Sequence, residues 1–256
     1  KIAQEERDFA SALERGVPQF LEKARGAGSG GTIDGAFAWH VYQQDGVPLE
    51  VMEELAAEHG ATIDRDSYEA ARKQHKLISG AGVPETTFTG YDRLEDEGEV
   101  LLLLSEGERV DSLEPGESGI VVLDRSPFYA ESGGQVGDTG ELAAGEGGVA
   151  GLATVLDTQK QNGVFLHDVQ VTQGRLHVGM RLRGSVSGHR RQAIRRAHTA
   201  THLLHAALRN VLGTHVVQRG SVVEADRLRF DFAHDQAMTW DEIRQVEALM
   251  NAEVLR

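Results

Sequence analysis

The sequence predicts an α+β multidomain protein: a helical region over residues 1–85, a small antiparallel β-barrel over 86–188, and the start of an α+β domain over 189–256. Three observations predict it. Apolar residues recur at helical spacing through the first eighty or so positions. Short β-rich runs separated by glycine and acidic turns fill the stretch from Thr86 to Val186. Helical periodicity then returns after His189, followed by two strand-like runs and a last helix. For the middle stretch, run lengths alone leave a small sandwich open beside the barrel.

In the first region, Phe9, Leu13, Val17, Phe20 and Leu21 mark a helix, and Pro18 is expected to kink or divide it. The GAGSGG segment at 26–31 fits G-x-G-x-x-G literally, but it follows a helical pattern with no βαβ surroundings, so a loop is expected. Pro48 can open a helix through VMEELAAEH that stops at Gly60, and DSYEAARKQHKL starts from an acidic cap at Asp64 or Asp66. In the second region the strand candidates are TFTGY, VLLLL, GIVVLD, VAGLATVLD, VFLHDVQV and MRLRGSV. In the third, HVVQRGSVV and RLRFDFAH read as paired strands before an amphipathic TWDEIRQVEALMNAEVLR.

With 40% hydrophobic residues the chain can build more than one core, and no apolar run approaches the length of a membrane span. Its start lacks a signal-peptide core, so a cytoplasmic protein with no membrane partner is expected. Cysteine is absent, which excludes disulfides, thiol nucleophiles and sulfur-ligated metals from within the chain. The first residue is Lys1 and the last amphipathic pattern simply stops at Arg256, so a fragment of a longer polypeptide is expected. A net charge of −14 argues against indiscriminate coating of nucleic acid, DNA included. Against that background HRRQAIRR gathers Arg190, Arg191, Arg195 and Arg196, whose plain reading is a solvated helix face.

The segment RRAHTATHLLHAALRNVLG sets His198 and His202 four residues apart on an Ala/Leu helix. Residues i and i+4 stand one above the other, with Cβ atoms about 5–6 Å apart, so two imidazoles there can converge on one ion. Spacing alone favours a packed or surface pair, and more so for His205.

RSPFYAESGGQVGDTG at 125–140, DTQKQNGVFLHDV at 157–169, the histidine helix, and HVVQRGSVVEADRLRFDF at 215–232 occur in that order. Together they resemble the editing region of the alanyl-tRNA synthetase family, and EERDFASALERG and FAWHVYQQDGVPLEVMEELAAEHG resemble its helical tRNA-recognition part. The resemblance implies an editing domain, incomplete at its C-terminal end, over 189–256. It also implies a parent enzyme that attaches alanine to tRNA(Ala) with ATP and Mg²⁺ bound outside this chain. Fit alone discriminates poorly against a missing methyl or an added hydroxyl, so a second site would hydrolyse seryl and glycyl forms of tRNA(Ala).

By the same resemblance, Zn²⁺ is held by His198 and His202 with a cysteine and a histidine from a later segment, which leaves a weakly binding half-site here. Thr201 corresponds to a threonine facing the bound amino acid, and Gln218 to a pocket glutamine important for hydrolysis. Gly133, Gly134, Gln135 and Ser221 belong to the motifs that line the pocket, and the four arginines gain a role in holding the acceptor stem. Thr201 also reads as a hydroxyl bonded to the preceding helical turn, and Asp231 as a salt-bridged strand carboxylate. Gln43, Gln44, Val47 and Ala197 depart from the family pattern. A freestanding alanyl-tRNA editing hydrolase and a non-catalytic tRNA-binding module are the alternatives.

Overall fold

The computed structural model describes residues 2–144 and 151–255, with side chains from residue 13 onward. The Phe9 side chain, Val149, Ala150, Lys1 and Arg256 lie outside the described residues. The chain divides into two compact units, Lys1–Gly82 and Val83–Arg256.

The first unit contains α1 (Ile2–Ala27), β1 (Thr32–Ile33), α2 (Gly35–Asp45), α3 (Leu49–Glu58), β2 (Thr62–Ile63) and α4 (Arg65–Ser79). Of the two outcomes expected at Pro18, division does not occur: α1 runs through it. Leu13 and Val17 before it, and Phe20 and Ala24 after it, pack on the same core, so burial on both sides outweighs the one backbone hydrogen bond that proline removes. Pro48 sits just outside α3 as its N-cap, and of the two acidic candidates Asp64 caps α4 by accepting from Ser67 N. The GAGSGG segment ends α1 and leads into β1, which pairs parallel with β2. Two-residue strands carry too little alternation to be visible in sequence.

The second unit contains β3 (Thr87–Phe88), β4 (Glu95–Ser105), β5 (Glu108–Val110), β6 (Ser112–Leu113), β7 (Ser118–Leu123), β8 (Arg125–Ser126), β9 (Gly140–Ala144), β10 (Leu152–Gln161), β11 (Val164–Gln173), β12 (Leu176–His177) and β13 (Arg181–Val186). These precede α5 (Gly188–Leu212), β14 (Gln218–Val223), β15 (Leu228–Phe232) and α6 (Trp240–Val254). Strands β13, β9, β10, β11, β7 and β4 pair antiparallel in that order, and β13 returns to β4, closing a six-stranded barrel among the described residues. That closure decides between barrel and sandwich. Its interior is filled by Val100, Leu103, Val121, Leu142, Val169 and Leu182 with their neighbours. A register shift between Val155 and Asp157 breaks the alternation of β10, which leaves Leu156 half exposed despite its apolar run. The expected pair of late strands forms a hairpin, β14 with β15, and α6 starts from a capping box between Thr239 and Glu242. Ala207, Leu208, Val216 and Val246 form the core that joins hairpin and helices.

A polar side chain, His167, is sealed into the barrel. His167 is fully buried; its Nδ1 faces Val121 O at 2.9 Å, and Ser126 Oγ lies 2.7 Å from Nε2 while also accepting from Phe128 N. A carbonyl only accepts, so Nδ1 carries the proton and Ser126 donates to Nε2. Burial lowers the pKa of His167 from 6.5 to about 4. The unfolded chain therefore takes up a proton below pH 6.5 that the folded chain refuses until about pH 4. The corresponding stability, about 3 kcal/mol, is present above pH 6.5 and is lost as the pH falls to about 4. Denaturation midpoints measured from pH 7 to 4 are expected to fall along this limb. A His167→Asn variant is expected to lack that share of the decline.

Candidate active site

α5 starts directly after the barrel: Ser187 is its N-cap residue, and Ser187 N donates to Thr139 O at the end of the glycine-rich stretch. One turn in, Arg191 points inward, with only 7% of its side chain exposed. Its Nε donates to Asp138 Oδ2 at 2.7 Å, Nη2 donates to the same oxygen and to Pro127 O, and Nη1 donates to Gly90 O. Asp138 Oδ2 also accepts from Tyr129 N. The expectation that Arg191 contacts tRNA is therefore corrected: Nε, Nη1 and Nη2 all donate inside the protein, fixing helix to barrel. Arg190 is partly committed in the same way, donating to Gly137 O at 2.6 Å. Arg195 and Arg196 remain exposed and line a cleft of about 930 Å³ with Thr199, Leu203, Arg227 and Leu228.

Two turns beyond Arg191 on the same helical face stand the paired imidazoles. The rings of His198 and His202 are stacked, with centroids 5.2 Å apart and planes 24° from parallel. His198 is half-buried and His202 exposed, so the pair lies at an accessible edge. His198 Nδ1 meets Gln135 Oε1 at 2.6 Å. His205 turns elsewhere, packing its ring 5.2 Å from that of Phe230. Thr201 is buried and donates its hydroxyl proton to Ala197 O at 2.9 Å, so in this orientation it can only accept from a ligand.

The glycine-rich stretch delivers Gln135. Ser132 and Gln135 exchange backbone hydrogen bonds around Gly133 and Gly134, whose φ values of 61° and 81° define a two-residue hairpin turn that L side chains resist. Gly134 also touches β14: Val223 N donates to Gly134 O at 2.7 Å, and a Cβ on Gly134 would lie 2.2 Å from Ser221 O. On the same strand Gln218 is exposed and donates to Ser221 Oγ at 3.1 Å. Asp231 on β15 is held by Arg229 Nε at 2.8 Å. The site thus gathers His198, His202, Thr201, Gln135 and the Gly133–Gly134 turn beside Ser221 and Gln218.

Among the described residues no group of three or more His, Cys, Asp and Glu side chains could hold a metal ion. The chain matches the family of tRNA synthetases class II (A) over residues 1–190. It is 45% identical to an alanine–tRNA ligase of Deinococcus radiodurans over 98% of its length, and 44% identical to one of Nitrosospira multiformis over 99%. The chain belongs to the alanyl-tRNA synthetase family. It spans 30% of the length of these relatives, and the matches to them run through the histidine helix, past the last residue of the family match. No described helix is long and apolar enough to cross a membrane.

Sequence reasoning about this alanyl-tRNA synthetase region missed Asp138, the anchor of Arg191. Helical phase could not have found it, because Arg195 lies one turn from Arg191 on nearly the same face; the burial of Arg191 is decided by its contacts with Asp138, Gly90 O and Pro127 O. The closeness of Gly134 to β14 yields a stability difference. Gly134→Ala is expected to cost about 2–3 kcal/mol, from left-handed strain plus the clash with Ser221 O. Gly116→Ala, at a φ of 89° with nothing within 4 Å, is expected to cost only about 1 kcal/mol. Chemical denaturation of both variants checks the gap.

Proposed function

We propose that this chain carries the tRNA-binding and editing region of a protein that attaches alanine to tRNA(Ala) using ATP and Mg²⁺. The region hydrolyses Ser-tRNA(Ala) and Gly-tRNA(Ala). The observation that carries the reading is the stacked His198–His202 pair at an open edge, placed beside the Gly133–Gly134 turn and the Gln218–Ser221 strand. A purely packed pair has no need of that company.

His198 and His202 would hold zinc as two imidazole donors. Imidazole nitrogen is a preferred zinc ligand, and two rings a helical turn apart can share one ion. In the family pattern the other two ligands would be a cysteine and a histidine. Bound zinc supplies positive charge that polarises the ester or the water attacking it. In the reaction, water adds to the acyl carbon and the bond to the ribose oxygen breaks, freeing the amino acid and the 3′ end of the tRNA.

The chain's own groups orient that ester. Thr201, able only to accept, can take a hydrogen bond from a serine hydroxyl, which alanine's methyl does not offer. Gln218 and Ser221 offer exposed donors and acceptors to the terminal ribose. Arg195 and Arg196, exposed on α5, face the phosphate backbone across the cleft they line with Arg227. Arg227 is ion-paired with Glu224, so Arg195 and Arg196 supply most of the local positive charge.

Deacylation of Ser-tRNA(Ala) by the full-length protein tests the reading. His198→Ala is expected to lower the rate at least about 100-fold while leaving alanine attachment intact, because a lost metal ligand removes site and charge together. Hydrolysis unchanged by His198→Ala would instead favour a tRNA-binding module whose histidines do no chemistry.

A further inference from the structure

We propose that Gln135 is a positioning residue that fixes which nitrogen of His198 carries the proton. A neutral imidazole holds one proton, and its place is set by the partner of the other nitrogen. The side-chain oxygen of Gln135 lies 2.6 Å from His198 Nδ1, and an amide oxygen can only accept. The proton therefore sits on Nδ1, and the lone pair is left on Nε2, the ring nitrogen that does not face Gln135. Metal ions bind the unprotonated nitrogen, so the contact prepares His198 as an Nε2 ligand before any ion arrives.

The surroundings make this contact durable. Gln135 is 6% exposed, which leaves little room for water to replace its oxygen. Its backbone is held on two sides, by the paired hydrogen bonds to Ser132 and by a parallel bridge to Val223. The turn at Gly133 and Gly134 lets that backbone lie against β14. No equivalent acceptor faces His202 among the described residues, so the effect belongs to one ring of the pair. An amide suits the position better than a carboxylate, because it supplies the acceptor without burying a charge.

The proposal rests on the reading of the pair as metal ligands, and two measurements separate their fates. The first is long-range ¹⁵N–¹H NMR of the metal-free chain at about pH 8, with His167, whose Nδ1 also faces a carbonyl, as internal control. His198 is expected as the Nδ1–H form in the native chain and in Gln135→Glu, where only acceptors remain. In Gln135→Met it is expected to shift to Nε2–H, with His167 and His202 unchanged. The second is zinc titration of the full-length protein, where Gln135→Met is expected to weaken binding by about 10–100-fold and Gln135→Glu to restore it. An unchanged His198 pattern in Gln135→Met, with His167 intact, overturns the proposal. A shifted pattern together with zinc binding that His198→Ala leaves intact upholds the positioning role and overturns the metal reading instead.

Discussion

A buried ion pair between Arg191 and Asp138 is the constraint on which the candidate site depends. Asp138 is 1% exposed, and the guanidinium that meets it also donates to Gly90 O and Pro127 O. Burying two charges gives little net stability compared with apolar packing, but removing one partner strands the other at high cost. Such a pair therefore selects one arrangement over its neighbours. Here it holds the first turn of α5 against the barrel, and His198 follows seven residues later, about 10 Å along the axis on the same face. A rotation of α5 that exposed Arg191 would also carry His198 away from Gln135.

That geometry explains why the site draws on parts of the chain far apart in sequence. The helix brings the imidazoles, the hairpin turn between β8 and β9 brings Gln135, and β14 brings Gln218 and Ser221. The barrel is the rigid frame behind them. The Gly133–Gly134 turn emerges from it, and Ser187, at the head of α5, is bonded to Thr139 beside β9.

Much of this was legible in the sequence where a period or a motif encoded it. The i, i+4 spacing of His198 and His202 gave the stacked pair, and the short alternating runs gave strands that close into a barrel. What failed were features decided by contacts across distance. A cluster of four arginines reads as one basic face until the contacts of Arg191 with Asp138, Gly90 and Pro127 separate it from exposed Arg195 and Arg196. Pro18 was expected to kink or divide a helix, and the packing of Phe20 and Ala24 carries α1 through it undivided. The bond from His198 to Gln135 spans 63 positions, and no local pattern announces it.

The most direct test of the central claim is a double-mutant cycle between Arg191 and Asp138, read by chemical denaturation. Arg191→Met and Asp138→Leu are each expected to cost about 3–5 kcal/mol, because each leaves a buried charge without its partner. The double variant is expected to cost far less than the sum, giving a coupling of about 2–3 kcal/mol. Single losses under about 1 kcal/mol that simply add would contradict the claim that this pair sets the position of the histidine helix.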